Sequence, residues 1–332
     1  MSNTSTGGGT GTPGGGSAEA PAENIAAECV DALRGTPASL PTKYLYDARG
    51  SRLFERITDQ PEYTLTRDEL AIFDEHIDEI ARAIGPDAWV IELGSGDGRK
   101  TRLLLESLES PAGYTPIEIS EDALDESVLA LREAMPDLDV VPLHADFTDD
   151  LDFEHADGRT RVVFLPGSTI GNFAPDAARD LMRRFADWVG PGGGLLIGVD
   201  LVKPEAELVP AYSDAGGVTA AFNLNLLDRL NREADADFDL ERWTHRASWN
   251  PDRERMESRL VSTADQVVTL GGETFTFREG DAILTEYSHK YTPGSLAALA
   301  SRFDLRQRWQ DPEGRFMVAY CVCKAPKSEE RA

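Results

Sequence analysis

Basic residues are scarce in this chain. Its 332 residues hold 33 Lys and Arg against 59 Asp and Glu, a formal net charge of −26. A surface so short of cations opposes binding to DNA, RNA or anionic membrane, all of which need clustered basic side chains. A small zwitterionic substrate is not excluded, because its affinity is decided inside a pocket. Cysteine is sparse too: Cys29, Cys321 and Cys323 are too few and too poorly spaced for a disulfide framework or a zinc site. Cys321 and Cys323 stand two apart in a strand-like run, so both face one side and read as inert packing. The histidines (His76, His144, His155, His245, His289) form no H-E-x-x-H or other ligand pattern, and no metal is expected. No stretch approaches the ~18 consecutive apolar residues of a membrane span. The N-terminus lacks the basic-then-apolar signature of a signal peptide. These absences describe a soluble, cytoplasmic protein.

What is present is periodic. The length suits one or two domains with a large core. Glycine, Ser, Thr and Pro dominate the first residues, so 1–23 read as a disordered tail that buries too little to offset its ordering entropy. A short helix follows from about residue 24. The segment 43–69 carries aromatics at Tyr44, Tyr46, Phe54 and Tyr63. Thr66 and Glu69 have capping-box spacing. Beyond them Leu70, Phe73, Ile77, Ile80, Ala81 and Ile84 recur at helical spacing. Strands are expected over 89–93, 114–119, 139–143, 161–165 and 195–199, with helices over 100–108, 121–134 and from Pro175 to the GPGGG run at 190–194. That alternation, ending in a fully apolar strand, is the mark of a parallel sheet. After Val202 the style changes. Residues 203–231 read as helical. Segments 255–263, 266–270, 273–278 and 282–291 read as antiparallel strands, with Gly271-Gly272 as a hairpin turn. A helix over 294–303 and strands at 306–309 and 316–324 close the chain. The domains expected are 67–202 with 293–326, and a lid-like unit of 24–66 with 203–292; a cleft between them is the natural place for a substrate.

The most specific segment is WVIELGSGDGRK, residues 89–100. A buried strand ends at a carboxylate, glycines follow at Gly94, Gly96 and Gly98, and a helix begins, which together form a cradle for a nucleotide-containing cofactor. A dinucleotide motif, G-x-G-x-x-G, would need its third glycine where Arg99 stands. The pattern E-x-G-x-G-x-G is instead that of S-adenosylmethionine (SAM) methyltransferases. That reading demands a carboxylate at the end of the second strand for the ribose hydroxyls, and Glu118 stands there. It also demands an acceptor for the adenine amino group after the third strand, and Asp146 stands there beside Phe147.

The chain further resembles the SAM-dependent histidine Nα-methyltransferases of ergothioneine biosynthesis, which convert L-histidine to hercynine. The resemblance runs from about residue 37 to 323 and is carried by YLYDARGSRLFERIT, QPEYTLTR, ELGSGDGRKTRLLL, FLPGSTIGNF, GVDLVK, AYSDAGGVTAAFNLNLLDRLNRE, ADFDLERWTH and LTEYSHKY. It implies a class I SAM-methyltransferase fold, an α/β Rossmann-like seven-stranded sheet with a smaller α+β substrate domain inserted. It implies a monomer that binds SAM and L-histidine, with no nucleic-acid or membrane partner. Matching positions for the cofactor are Tyr46, Gly94, Gly96, Lys100, Glu118, Asp146 and Phe147. Family members often have Asp where this chain has Glu118. For the α-amino and carboxylate groups the matches are Tyr63, Gly167, Asn172 and Tyr212, with Tyr46 and Asn172 nearest the reacting centre. Glu286 and Ser288 match the pair facing the imidazole. Within RERMESRL the family commonly has Met where this chain has Ser258, which enlarges or wets the pocket at its imidazole end.

Taken alone, several of these residues read otherwise. Asn172 suits a cap for the helix opening at Pro175, the three tyrosines suit packing, and Glu286 suits an outward charge on an alternating strand. An enzyme of the same fold acting on another aromatic or imidazole amino acid, and a catalytically silent SAM-binding module, are the competing functional readings. The acidity, spread along the chain rather than gathered in a tail, predicts a surface adapted to high salt. The melting temperature is expected to rise steeply between low and molar KCl as self-repulsion is screened; a flat profile would refute this.

Overall fold

The computed structural model describes residues 22–94, 98–149, 151–153, 156 and 158–325. The amino-terminal part holds α1 (Ala22–Leu33), a 3₁₀ turn (Thr42–Leu45), α2 (Ala48–Thr58) and α3 (Leu65–Ile84). The alternating part follows: β1 (Ala88–Leu93), α4 (Arg99–Ser107), β2 (Gly113–Glu118), α5 (Glu121–Ala134), β3 (Leu143–His144), β4 (Thr160–Leu165), a 3₁₀ turn (Thr169–Asn172), α6 (Pro175–Val189) and β5 (Gly194–Asp200). Next come α7 (Glu205–Ala211), α8 (Val218–Glu233), β6 (Trp243–Asn250), β7 (Arg255–Ser262), β8 (Gln266–Leu270), β9 (Glu273–Phe277) and β10 (Ala282–His289). The chain closes with α9 (Pro293–Leu299), β11 (Phe303–Gln310) and β12 (Phe316–Cys323).

Seven strands form one sheet in the order β11-β12-β5-β4-β1-β2-β3. Strands β1 to β5 are parallel, and β12 runs antiparallel to both its neighbours. This is the class I methyltransferase architecture. Parallel strands need crossover helices on both faces, and the apolar residues divide accordingly. Val90 packs into a core with Phe73, Leu104 and Leu105 on one face, while Trp89, Ile91 and Leu93 pack with Phe185 and Trp188 on the other. Strand order reverses between β1 and β4, so a crevice opens at the carboxyl ends of the strands, where open α/β sheets bind ligands. The remaining strands stand apart, as a three-stranded sheet β10-β7-β6 and a hairpin β8-β9. Gly271 and Gly272 turn that hairpin with φ of 58° and 78°, the left-handed pair its tight turn requires. Helix α2 joins α8 through Asp47, which caps Gly50 N–H at 2.7 Å and accepts from Asn225 and Arg232 at 2.8 and 2.6 Å.

Four expectations are corrected. The capping box at Thr66 and Glu69 does not exist: α3 starts at Leu65 after Thr64, whose side chain makes no cap, and Glu69 turns inward. The helix expected over 203–231 is two helices, because the Asp214 carboxylate accepts from Val218 and Thr219 N–H at 2.8 and 2.7 Å and starts α8 afresh after Gly217. Strand β6 was not expected; its inward residues Trp243, His245, Ala247 and Trp249 alternate with polar ones. The third strand shrinks to two residues, with Val140 only bridging Tyr114. Positions 1–21, most of the expected tail, and Gly96 lie outside the described residues. All three cysteines are buried, and burial pushes the Cys29 and Cys321 thiols up to about 12. Among the described residues, no helix is long and apolar enough to cross a membrane.

Candidate active site

The carboxyl ends of β1, β2 and β4 carry the first group of residues. Gly94 follows β1 with φ 74° and nothing within 4 Å of where a Cβ would project, so the backbone there is open to a ligand. Lys100 sits in the first turn of α4, and its Nζ lies 2.5 Å from Glu69 Oε2. Glu69 is fully buried and also accepts the Gly167 N–H at 3.1 and 3.0 Å. A Cβ on Gly198 would come within 2.0 Å of Glu69 Oε1, so only glycine leaves that carboxylate room. One side chain thus fixes α3, the start of α4 and the turn after β4. Glu69 was missed as a site residue, yet it stands on the apolar stripe of its helix with Leu65, Ile72, Phe73 and Ile80, where a carboxylate needs a buried partner.

Glu118 ends β2, and its Oε1 accepts from Ile119 and Ser120 N–H at 2.9 and 3.3 Å. Asp146 Oδ1 is held by the Thr148 N–H and hydroxyl at 2.9 and 2.6 Å, while Oδ2 lies 3.7 Å from Lys43 Nζ. Phe147 stacks edge-on against Phe173 at 5.9 Å. Two positioned carboxylates, an aromatic ring and an open glycine backbone fit an adenosyl group with its ribose hydroxyls and amino group. Glu92, the acid that opens the glycine motif, is different. It is buried against Thr101 at 2.7 Å and the Tyr114 hydroxyl. Burial pushes its carboxyl up to about 7, against the opposing pull of those hydrogen bonds.

The second group lines the cleft from the other side. Tyr46, Phe54, Tyr63 and Tyr212 form a chain of edge contacts at 5.7, 6.2 and 6.4 Å, with Phe222 5.4 Å from Tyr46. Burial pushes the Tyr46, Tyr63 and Tyr212 hydroxyls well above their ordinary range, helped next by Glu286 at Tyr46, by Tyr212 at Tyr63 and by Asp200 at Tyr212, so all three stay protonated. The charges of both Glu286 and Glu118 reach Tyr46. On β10, Glu286 and Ser288 share a face; Ser258 stands directly across from Glu286 on β7 and is buried. Ser288 Oγ lies 2.7 Å from the Tyr212 hydroxyl. Lys290, also missed from the sequence, is buried behind them.

Asn172 does not cap the following helix, whose cap is Ala174 without a side-chain bond. Its turn is pressed onto β10 instead, since a Cβ on Gly171 would lie 2.8 Å from the His289 carbonyl. The hydroxyls of Tyr46 and Tyr63, the Asn172 amide and the Glu286 carboxylate have no hydrogen-bond partner among the described residues. Glu286 lies deep in the fold but keeps some accessible surface. Burial pushes its carboxyl up to about 7, with the positive charge of Lys290 opposing. The structure therefore brings together Tyr46, Tyr63, Tyr212, Glu286 and Ser288, and sets Gly167 beside Lys100.

Residues 25–323 match a family described as histidine-specific methyltransferase, SAM-dependent. A histidine N-alpha-methyltransferase of Mycolicibacterium smegmatis is 40% identical over 312 residues, 92% of this chain and 97% of that protein. One from Mycobacterium tuberculosis is 39% identical over 291 residues, 86% of this chain and 90% of that protein. Ergothioneine biosynthesis protein 1 of Neurospora crassa is 35% identical over 280 residues, which are 82% of this chain and 31% of that longer protein.

Two outcomes test the geometry. The raised carboxyl of Glu286 favours folding below its unfolded value of 4.5, and that contribution is lost as pH rises through about 7. Glu286→Gln is therefore expected to melt like the parent at pH 5 but to be stabilised by about 1–2 kcal/mol at pH 8, discounted for partial solvent access. Equal melting shifts at both pH values would refute the assignment. Gly198→Ala should displace Glu69 and lower stability by about 2–4 kcal/mol by chemical denaturation.

Proposed function

That this chain belongs to the histidine-specific, SAM-dependent methyltransferases is the premise from which we propose how its cleft works: it trimethylates the α-amino group of L-histidine to hercynine. The chain is a SAM-dependent histidine N-methyltransferase of ergothioneine synthesis. The single observation that carries the residue assignments is Glu286, a desolvated carboxylate without a hydrogen-bond partner among the described residues, on one strand face with Ser288 and near enough for its charge to act on Tyr46. Leaving such a group unpaired is costly unless a ligand donor completes it.

SAM, when bound, supplies a methyl group on a sulfonium. The chain's own residues have to hold a neutral amine in line with it and exclude water, so positioning carries most of the rate. Tyr46 and Asn172 orient the amine lone pair without adding positive charge. Tyr46 stays protonated, so it acts as a hydrogen-bond partner and not as a base; the amine sheds its protons to solvent between methylations. Tyr63, Gly167 and Tyr212 surround the α-amino and carboxylate groups. A neutral imidazole offers one N–H and one bare nitrogen. Glu286 accepts the first and Ser288 serves the second, so an apolar side chain would leave both unmet. Gly94, Gly96, Lys100, Glu118, Asp146 and Phe147 hold the cofactor. Residues 24–66 with 203–292 make the substrate lobe, and 67–202 with 293–326 the cofactor lobe. The working unit in this reading is a monomer. Ser258, buried and opposite Glu286, favours one second reading: a pocket roomy enough for another aromatic or imidazole amino acid.

Incubation with SAM and each amino acid, read by mass spectrometry, should give three added methyl groups on histidine alone. Glu286→Ala should raise the histidine KM by about 10–100-fold and leave SAM affinity within about 3-fold. Glu118→Ala should do the reverse. Equal losses for both ligands in either variant would sink the assignment of that residue.

A further inference from the structure

Lys290 carries a positive charge into the wall of the cleft although its side chain is fully buried. Its Nζ lies 2.8 Å from Asp200 Oδ2, 2.7 Å from the Tyr212 hydroxyl and 2.8 Å from Ser288 Oγ. An ammonium has three N–H donors and no acceptor; two of them go to the Tyr212 and Ser288 hydroxyls, while Asp200 Oδ2 faces it as an ion pair without hydrogen-bond geometry. Asp200 also holds Lys203 Nζ at 2.5 Å, and its N–H donates to Ser168 Oγ at 3.0 Å, so the anchor itself is fixed.

The protons can be counted. The Tyr212 and Ser288 oxygens are 2.7 Å apart, so one of their two protons lies between them. Both oxygens accept from Lys290 and neither can donate back to it. One hydroxyl proton remains, and it must leave the cluster on the side away from the lysine. Ser288 stands two residues from Glu286 on one face of β10, the face that the functional reading gives to the ligand.

We propose that Lys290 is a positioning residue for substrate recognition: by donating to both hydroxyls it commits the Tyr212–Ser288 pair to act as a donor toward the ligand. This rests on the reading that those two hydroxyls face histidine. Either place for the outward proton suits that ligand, because the bare ring nitrogen and the α-carboxylate are both acceptors. Within the cluster Lys203 and Lys290 are both ion-paired to Asp200, two cations to one carboxylate, with Glu286 the next acid that feels Lys290. Glu286 then supplies the opposite polarity, an acceptor for the ring N–H. Without the lysine both oxygens regain an open lone pair, and the pair can accept as readily as it donates.

A mutant cycle in the full-length protein tests this. Lys290→Met should raise the histidine KM by ~10-fold or more, with kcat changed by less than ~3-fold and SAM affinity by calorimetry unchanged. In a Tyr212→Phe/Ser288→Ala background, adding Lys290→Met should raise KM by less than ~2-fold, because the lysine has no hydroxyls left to orient. The same rise in both backgrounds, or none in the first, overturns the proposal. Wild-type histidine KM in Tyr212→Phe/Ser288→Ala would instead mean that the hydroxyls do not face histidine, a separate failure of the functional reading. If Lys290→Met fails to bind SAM because Asp200 is left unpaired, Asp200→Asn/Lys290→Met takes its place in the cycle, with the same expected and overturning results.

Discussion

The ion pair between Lys290 and Asp200 joins the second sheet to the carboxyl end of the first. Asp200 closes β5, and the backbone reinforces the link: Tyr291 N–H donates to the Asp200 carbonyl at 2.9 Å, and Val202 N–H to the Tyr291 carbonyl at 3.1 Å. Strand β10 is thereby held over the strand ends where the glycine turn lies. Breaking a buried pair by removing one partner costs about 3–5 kcal/mol, whereas an apolar replacement of both is often neutral. Stability alone therefore does not account for ions at this place. Their use is geometric, since Glu286 and Ser288 take their positions from the strand that Lys290 anchors.

The cofactor side repeats the device. Glu69, buried between Lys100 and Gly167, does for the glycine turn what Asp200 does for β10. In both cases a buried carboxylate behind the wall satisfies a lysine that would otherwise be free to move. Groups assigned to the cleft can then stay without a hydrogen-bond partner among the described residues, as Glu286, Asn172, Tyr46 and Tyr63 do. Such groups are expensive when buried, and the expense is tolerable only where the supporting layer is itself fully bonded.

Much of this was legible from residues alone. The parallel sheet, its closing antiparallel strands and the glycine turn followed from periodicity and spacing, and the seven-stranded order agrees. The ligand-facing residues came from resemblance, since an alternating strand gives no sign of which face is a cleft and which is solvent. What sequence hid was the second layer. Glu69 looked like a capping residue because capping depends on local spacing, whereas its real partners, Lys100 and Gly167, are distant in the chain. Asp200 and Lys290 carry no local signal of their pairing for the same reason. Strand β6 escaped because its outward residues are polar and its inward face includes His245, which blurs the alternation.

A methyl acceptor must be a neutral amine, yet the ligand carries a carboxylate and a ring that both tempt a site toward strong charges. In the proposed arrangement the charges are kept at a distance from the amine. The tyrosines around the reacting end stay protonated and neutral, and the cations sit behind Tyr212 and Ser288 or are already paired with Glu69. A cation beside the amine would favour its neutral form but repel the sulfonium; an anion would attract the sulfonium but hold the amine protonated. Neutral donors and acceptors avoid both penalties. On the proposed reading that leaves Glu286 as the ionisable group facing the far ring, removed from the bond that forms, with burial raising its carboxyl and Lys290 opposing the rise.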